Sequence, residues 1–291
     1  MHLSLQHISV RYGNADGTHL EAVRDVSLEV DGGQAVALIG PSGCGKSTLL
    51  RIACGLLKPT EGTVSIDGEL LAGPRSATAL ILQDFGLLPW KTVYKNAELG
   101  LRIRGMSKAE CRERTMHALE QVGLADMANR YPKELSGGMQ QRLALARALA
   151  LDVDLLLMDE PLSALDALLR ESLQETLLEL WRENRHAQIL VTHSIEEAVY
   201  LGQRIVVFSP RPAHVAAVIE NPHMGEPGFR TSQAYFECCT DVREALNRAV
   251  AEAADGEIAL AAGGEVAAAD EARGVRAADV AVTHSGEGRR A

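Results

Sequence analysis

The opening third of the chain alternates short apolar runs with polar, glycine-bearing breaks: "LSLQHISV", "VRDVSLEV", "QAVALIG" and "GTVSIDG". Runs of this length between turn residues predict strands and hairpins. A glycine loop follows "AVALIG", and "KSTLLRIACGLL" (Lys46 to Leu57) then has helical spacing, so strand, loop and helix come in order. Between about Ser107 and Arg147 the period is helical. There "SKAECRERTMHALEQVGL" opens on Ser107 with Glu110 three residues on, the pattern of a capping box. Farther along, "DLLLMDE" and "AQILVTHS" are continuous apolar runs, as in parallel strands buried on both faces. The amphipathic "ALLRESLQETLLELWREN" between them completes a βαβ unit. After Ser209, the proline-rich "SPRPAHVAAVIENPHMGEPG" predicts a loop and a short strand. Val242, Leu246, Ala249 and Val250 then mark a peripheral helix within residues 236–253. Residues 254–291 are rich in alanine, glycine and acids and lack an aromatic, which predicts a disordered tail.

Composition narrows the function classes. Hydrophobic residues are 46% of the 291 positions and charged residues 23%, a globular balance. The net charge of -10 argues against work on nucleic acid, because a phosphate backbone selects basic surfaces. The five cysteines, Cys44, Cys54, Cys111, Cys238 and Cys239, show no metal-type pairing and read as reduced thiols. "MHLSLQHISVRYG" lacks the plan of a signal peptide, and no run approaches the roughly 18 apolar residues of a spanning helix. Membrane association is therefore expected to go through a partner.

The chemistry concentrates in a few short stretches. "GPSGCGKST" carries Gly40, Pro41, Ser42, Gly43, Cys44, Gly45, Lys46, Ser47 and Thr48. Its glycines let backbone amides approach phosphate oxygens, Lys46 reaches the terminal phosphates and Ser47 suits magnesium. Cys44, beside Lys46 at a helix start, reads as a thiol whose alkylation would block the loop. "LLLMDE" ends an apolar strand in Asp159 and Glu160, where ligands sit in parallel sheets: Asp159 for magnesium, Glu160 for the attacking water. Gln83 in "LILQD" and His193 in "ILVTHS" end strands in the same way. "LSGGMQQR" places Ser136, Gly137 and Gly138 at a second helix start able to bind phosphate. Almost ninety residues separate it from the first loop, so the economical arrangement is a head-to-tail pair of chains, each "LSGG" closing over the other's nucleotide.

The order of phosphate loop, Gln83, "LSGGMQQR", "LLLMDEP", "SALD" and His193 resembles the ATP-binding-cassette ATPases from about Leu3 to Phe208. The resemblance implies an α/β fold of the P-loop NTPase cassette kind. It has an antiparallel β subdomain, a RecA-like parallel-sheet core and a helical subdomain at about 84–150, within a domain at 1–235. It also implies roles by position. Tyr12 stacks on adenine, and Lys46 and Ser47 hold phosphate and magnesium. Gln83 senses magnesium and the transport partner, while Ser136 and Gly138 touch the partner copy's γ-phosphate. Glu160 is the catalytic base, Asp166 speaks to the opposite site, and His193 holds γ-phosphate and water. "QDFGLLPWKTVYKNAELGL" and "SPRPAHV" further resemble importers for nitrate, taurine, aliphatic sulfonates and thiamine precursors, with "PLSALDALLR" where relatives often have "PFGALDALTR". Exposed Leu87, Leu88 and Trp90 would then be covered by another subunit. The expectation is an ATP hydrolase coupled to uptake, using ATP and Mg2+, paired with a second copy and docked on permease subunits at the cytoplasmic face of a bacterial inner membrane. A solute-binding protein would act indirectly. The alternatives are a soluble cassette acting on ribosomes or nucleic acid, and an exporter cassette.

Overall fold

The computed structural model describes residues 1–13, 19–163 and 165–278. The chain separates into two compact units, Met1–Asn247 and Arg248–Ala291.

The alternating runs at the start form β1 (His2–Gly13) and β2 (His19–Asp31), paired antiparallel, followed by β3 (Ala35–Ile39). The phosphate loop leads into α1 (Lys46–Ala53). That helix is shorter than the spacing of Lys46 to Leu57 suggests, because Gly55 turns left-handed (φ 76°) where a Cβ would meet Gly73 carbonyl carbon at 2.5 Å. Next come β4 (Glu61–Ile66) and β5 (Glu69–Leu70), which complete an antiparallel sheet of order β2-β1-β4-β5. After β6 (Thr78–Ile81) the chain enters the helical insert: α2 (Val93–Ala97), α3 (Leu99–Ile103), α4 (Lys108–Gln121) and α5 (Gly137–Leu149). Both halves of the Ser107–Glu110 capping box are formed.

The remainder builds the parallel core: β7 (Leu155–Asp159), α6 (Ala167–Asn184), β8 (Ala187–Thr192), α7 (Ile195–Leu201) and β9 (Arg204–Phe208). An antiparallel edge strand, β10 (Val215–Glu220), closes the order β10-β9-β3-β8-β7-β6. The continuous apolar runs are explained by the two faces they serve. Ala37, Ile39, Leu156, Met158 and Leu190 pack with the helical side, while Val36, Leu38, Leu157, Ile189 and Val191 pack with α1 and the antiparallel sheet. Each of the Val, Leu, Ile and Met side chains among them contributes about 1.5–3 kcal/mol of burial.

The last helix, α8, spans Gln233–Ala278. It begins before the peripheral helix expected at 236–253 and runs well into the tail expected to be disordered at 254–291. Alanine explains the difference, since it is the best helix former and needs no packed face to favour that conformation. Residues 279–291 lie outside the described residues. Among the described residues no helix is long and apolar enough to cross a membrane.

Candidate functional site

Because β6, β7, β8, β3 and β9 run parallel, their carboxyl ends meet along one edge. The loop after β3 forms the floor of a cavity of about 450 Å³, lined by Ser42, Gly43, Gly45, Lys46, Ser47 and Thr48. Gly45 is required there: its φ is 128°, and a Cβ would lie 2.8 Å from the Ala22 carbonyl oxygen. Buried Lys46 donates from Nζ to the carbonyls of Gly40 (2.8 Å) and Pro41 (2.9 Å), so the loop folds around its own cation. Tyr12 closes one wall, with its hydroxyl 3.3 Å from Thr48 Oγ1.

The opposite wall comes from Gln83, Glu160 and His193. Glu160 adopts a left-handed backbone (φ 49°), uncommon for a residue with a side chain, and its amide donates to the Val191 carbonyl at 2.9 Å. Its Oε2 lies 3.2 Å from His193 Nδ1. Behind them, Ser47 Oγ donates to Asp159 Oδ1 at 2.8 Å. Burial pushes the Asp159 carboxyl above its ordinary range, against the Ser47 hydrogen bond. Gln83 borders both the main cavity and a smaller one next to Ser47 and Asp159.

The His193 turn has its own brace. Thr192 Oγ1 donates to buried Glu197 and accepts the Ser194 amide at 3.1 Å, while Ser194 Oγ caps α7 through the Glu197 amide at 3.2 Å. Burial raises the Glu197 carboxyl to about 7, with the Thr192 hydrogen bond opposing.

A model for the ABC transporter family matches residues 23–163. The taurine import ATP-binding protein of Roseobacter denitrificans is 45% identical, over 73% of this chain and 80% of its own length. The chain belongs to the ABC transporter family. An uncharacterized ABC transporter ATP-binding protein of Methanocaldococcus jannaschii is 43% identical over 76% of this chain and 83% of its own length. The cassette also overlays a solved dimeric bacterial ABC transporter cassette with TM-score 0.69 and 33% identity, covering 75% of this chain and 98% of that one. The same solved protein was captured in a post-hydrolysis state bound to ADP and Pi, with equal coverage.

Not every residue singled out in the sequence reaches the cavity. Ser136 caps α5 by accepting the Met139 amide at 3.3 Å, and Gly138 packs with a Cβ position 2.9 Å from Leu165 Cδ2, beside Asp166. Asp166 in turn caps α6 by accepting the Leu169 amide at 3.1 Å. Ser136, Gly137, Gly138 and Asp166 therefore do not line the cavity over the cassette's own phosphate loop. Cys44 is corrected as a reactive thiol: it is 1% exposed and packs into the core, with its Sγ 3.4 Å from where a Gly40 Cβ would be. Leu87 and Leu88 are half-buried, Leu87 against the main core, so Trp90 alone of the three stands out into solvent.

Two residues escaped the sequence reading. Arg211 lines the cavity from the loop after β9; the signal was a cation in "SPRPAHV" directly behind an apolar strand. Asn96, fully buried, holds the loop before α2: its Oδ1 accepts the Leu88 amide at 2.8 Å and its Nδ2 donates to the carbonyls of Leu88, Lys91 and Thr92. A lone asparagine in a helix carries no such signal.

Proposed function

We propose that this chain is the ATP-hydrolysing subunit of a bacterial importer for a small solute of the nitrate, sulfonate and taurine class. The observation that carries the hydrolytic part is the Glu160–His193 pair, held at 3.2 Å across the cavity from the phosphate loop. The importer part is supported by relatives named as taurine import ATP-binding proteins, 44 to 46% identical to this chain.

Lys46 and the free amides at the start of α1 receive the β- and γ-phosphates, and adenine rests against Tyr12. Ser47 and Asp159 form an oxygen-only pair suited to magnesium, which prefers hard ligands and keeps waters in its shell. Bound magnesium would neutralise charge on the phosphate oxygens. Glu160 orients the attacking water and takes its proton, and His193, pinned by Glu160, keeps water and γ-phosphate in line. Gln83 borders both cavities, a position from which it can report on magnesium. That Ser136, Gly138 and Asp166 are outside the lining of the cassette's own cavity supports a head-to-tail pair, in which each copy completes the other's site. The pair sits on permease subunits at the cytoplasmic face of the inner membrane, and a solute-binding protein delivers cargo from outside.

The test is detergent extraction of the tagged Glu160→Gln chain with ATP and magnesium present, followed by identification of what copurifies. An integral permease whose reconstituted complex takes up taurine or an alkanesulfonate is the expected result. Copurification with ribosomes or nucleic acid would overturn the reading.

A further inference from the structure

The strand order places two side chains on opposite flanks of the phosphate loop. His193 follows β8 on one side of β3, and Arg211 follows β9 on the other. The Arg211 loop is tied down at both ends. Ala213 donates its amide to the Ala22 carbonyl at 3.0 Å and accepts the Arg24 amide at 2.9 Å, while Ser209 Oγ accepts the His214 amide at 3.1 Å. From this base the guanidinium reaches the loop: Nε donates to the Gly43 carbonyl at 3.1 Å and Nη2 donates to the same oxygen.

That carbonyl is neutral, so the contact orients the guanidinium without compensating its charge. Within the cavity lining, the charges of Lys46 and Glu160 cancel, and Arg211 supplies the excess of positive charge. The chain as a whole is acidic, with a net charge of -10, so this local excess runs against the rest of its surface. A guanidinium has donors in a planar fork, and those not spent on Gly43 remain for oxyanions. The Ala213–Ala22 bond sets the base of this loop against β2, and Arg211 shares the cavity lining with Leu20, Ala22 and Tyr12.

We propose that Arg211 is a nucleotide-affinity residue that contacts the phosphates nearest the sugar, on the flank opposite the hydrolytic pair. This rests on the ATP-binding reading above. It adds a second cation to the site and separates the tasks: Arg211 holds the nucleotide, while Glu160 and His193 act on its far end.

The experiment measures equilibrium binding of ATP, ADP and adenosine to the full chain and to Arg211→Ala, Arg211→Lys and Arg211→Gln, with thermal melting without nucleotide as the check on folding. Arg211→Ala is expected to weaken ATP and ADP alike by about tenfold, the scale of a charge-assisted hydrogen bond at an exposed site, and to leave adenosine unchanged. Lysine, which keeps the charge, should restore much of the loss. Glutamine, which keeps a donor for Gly43 without charge, should not. If glutamine rescues and lysine fails, Arg211 only braces the loop and the proposal is overturned. Unchanged ATP binding in Arg211→Ala overturns it as well and leaves the functional reading standing, whereas a parent chain that binds no ATP would sink that reading itself.

Discussion

Glu197→Gln isolates a buried ionisation. Glu197 is 3% exposed, its Oε2 is engaged by Thr192, and its Oε1 has no hydrogen-bond partner among the described residues. The charged groups facing it are Arg170 from α6 and Glu160 from the end of β7, of which Arg170 favours the ionised form and Glu160 opposes it; β3 and β8 contribute none. Burial outweighs the rest and raises the carboxyl from 4.5 to about 7. Between those values the unfolded chain has lost the proton and the folded chain keeps it, so folding stability falls as pH rises through that window. At about 1.4 kcal/mol per unit, the gap from 4.5 to about 7 amounts to about 3 kcal/mol. Glutamine keeps an acceptor for Thr192 and cannot ionise. Urea unfolding of both chains, repeated from about pH 5 to about pH 8, should show glutamine gaining about 3 kcal/mol over the parent, with the gain accumulating below pH 7. All other titrating groups are common to both chains and cancel. Parallel stability curves across the range would refute the reasoning, since they would mean that Glu197 is either solvated or already paired as an anion.

Other perturbations follow from the same geometry. Glu160→Gln should lower ATP hydrolysis by about two to four orders of magnitude while nucleotide binding persists, measured by phosphate release beside fluorescence titration; a variant that retains its rate would remove Glu160 as the base. Gly45→Ala forces a side chain to within 2.8 Å of the Ala22 carbonyl oxygen at a φ of 128°, so it should abolish ATP binding; normal affinity would show that the loop has room that the structure denies. Asn96→Ala orphans the Leu88 amide and several carbonyls at about 1–3 kcal/mol for a buried polar group, and the loop bearing Trp90 should loosen first. Hydrogen exchange at residues 86–92 would report it, and unchanged protection there would count against the asparagine as the anchor.

The parallel strands were legible because burial on both faces leaves an unbroken apolar run, as in Leu155 to Met158. The extent of α6 was equally clear from its amphipathic spacing, "ALLRESLQETLLELWREN", and the structure closes it with an Asp166 cap and a left-handed Arg185. Site residues on strand ends, such as Asp159 and His193, could be found because chain order dictates which edge they share. Contacts made across the fold were not. Arg211 meets Gly43 over a span of 168 residues, and Asn96 earns its role from backbone atoms with no sequence identity. The tail differs for another reason: a segment of alanine, glycine and acids without an aromatic has little with which to build a core, but alanine still favours a helix.

Lys46 lines the nucleotide cavity of the cassette while Ser136 does not, and under the proposed head-to-tail pairing this has a genetic corollary. In a head-to-tail pair, a chain crippled at Lys46 and a chain crippled at Ser136 would each be inactive with a copy of themselves, yet mixing them would assemble one intact site from the undamaged halves. Co-expression of the two null alleles should therefore restore part of the growth that neither supports alone.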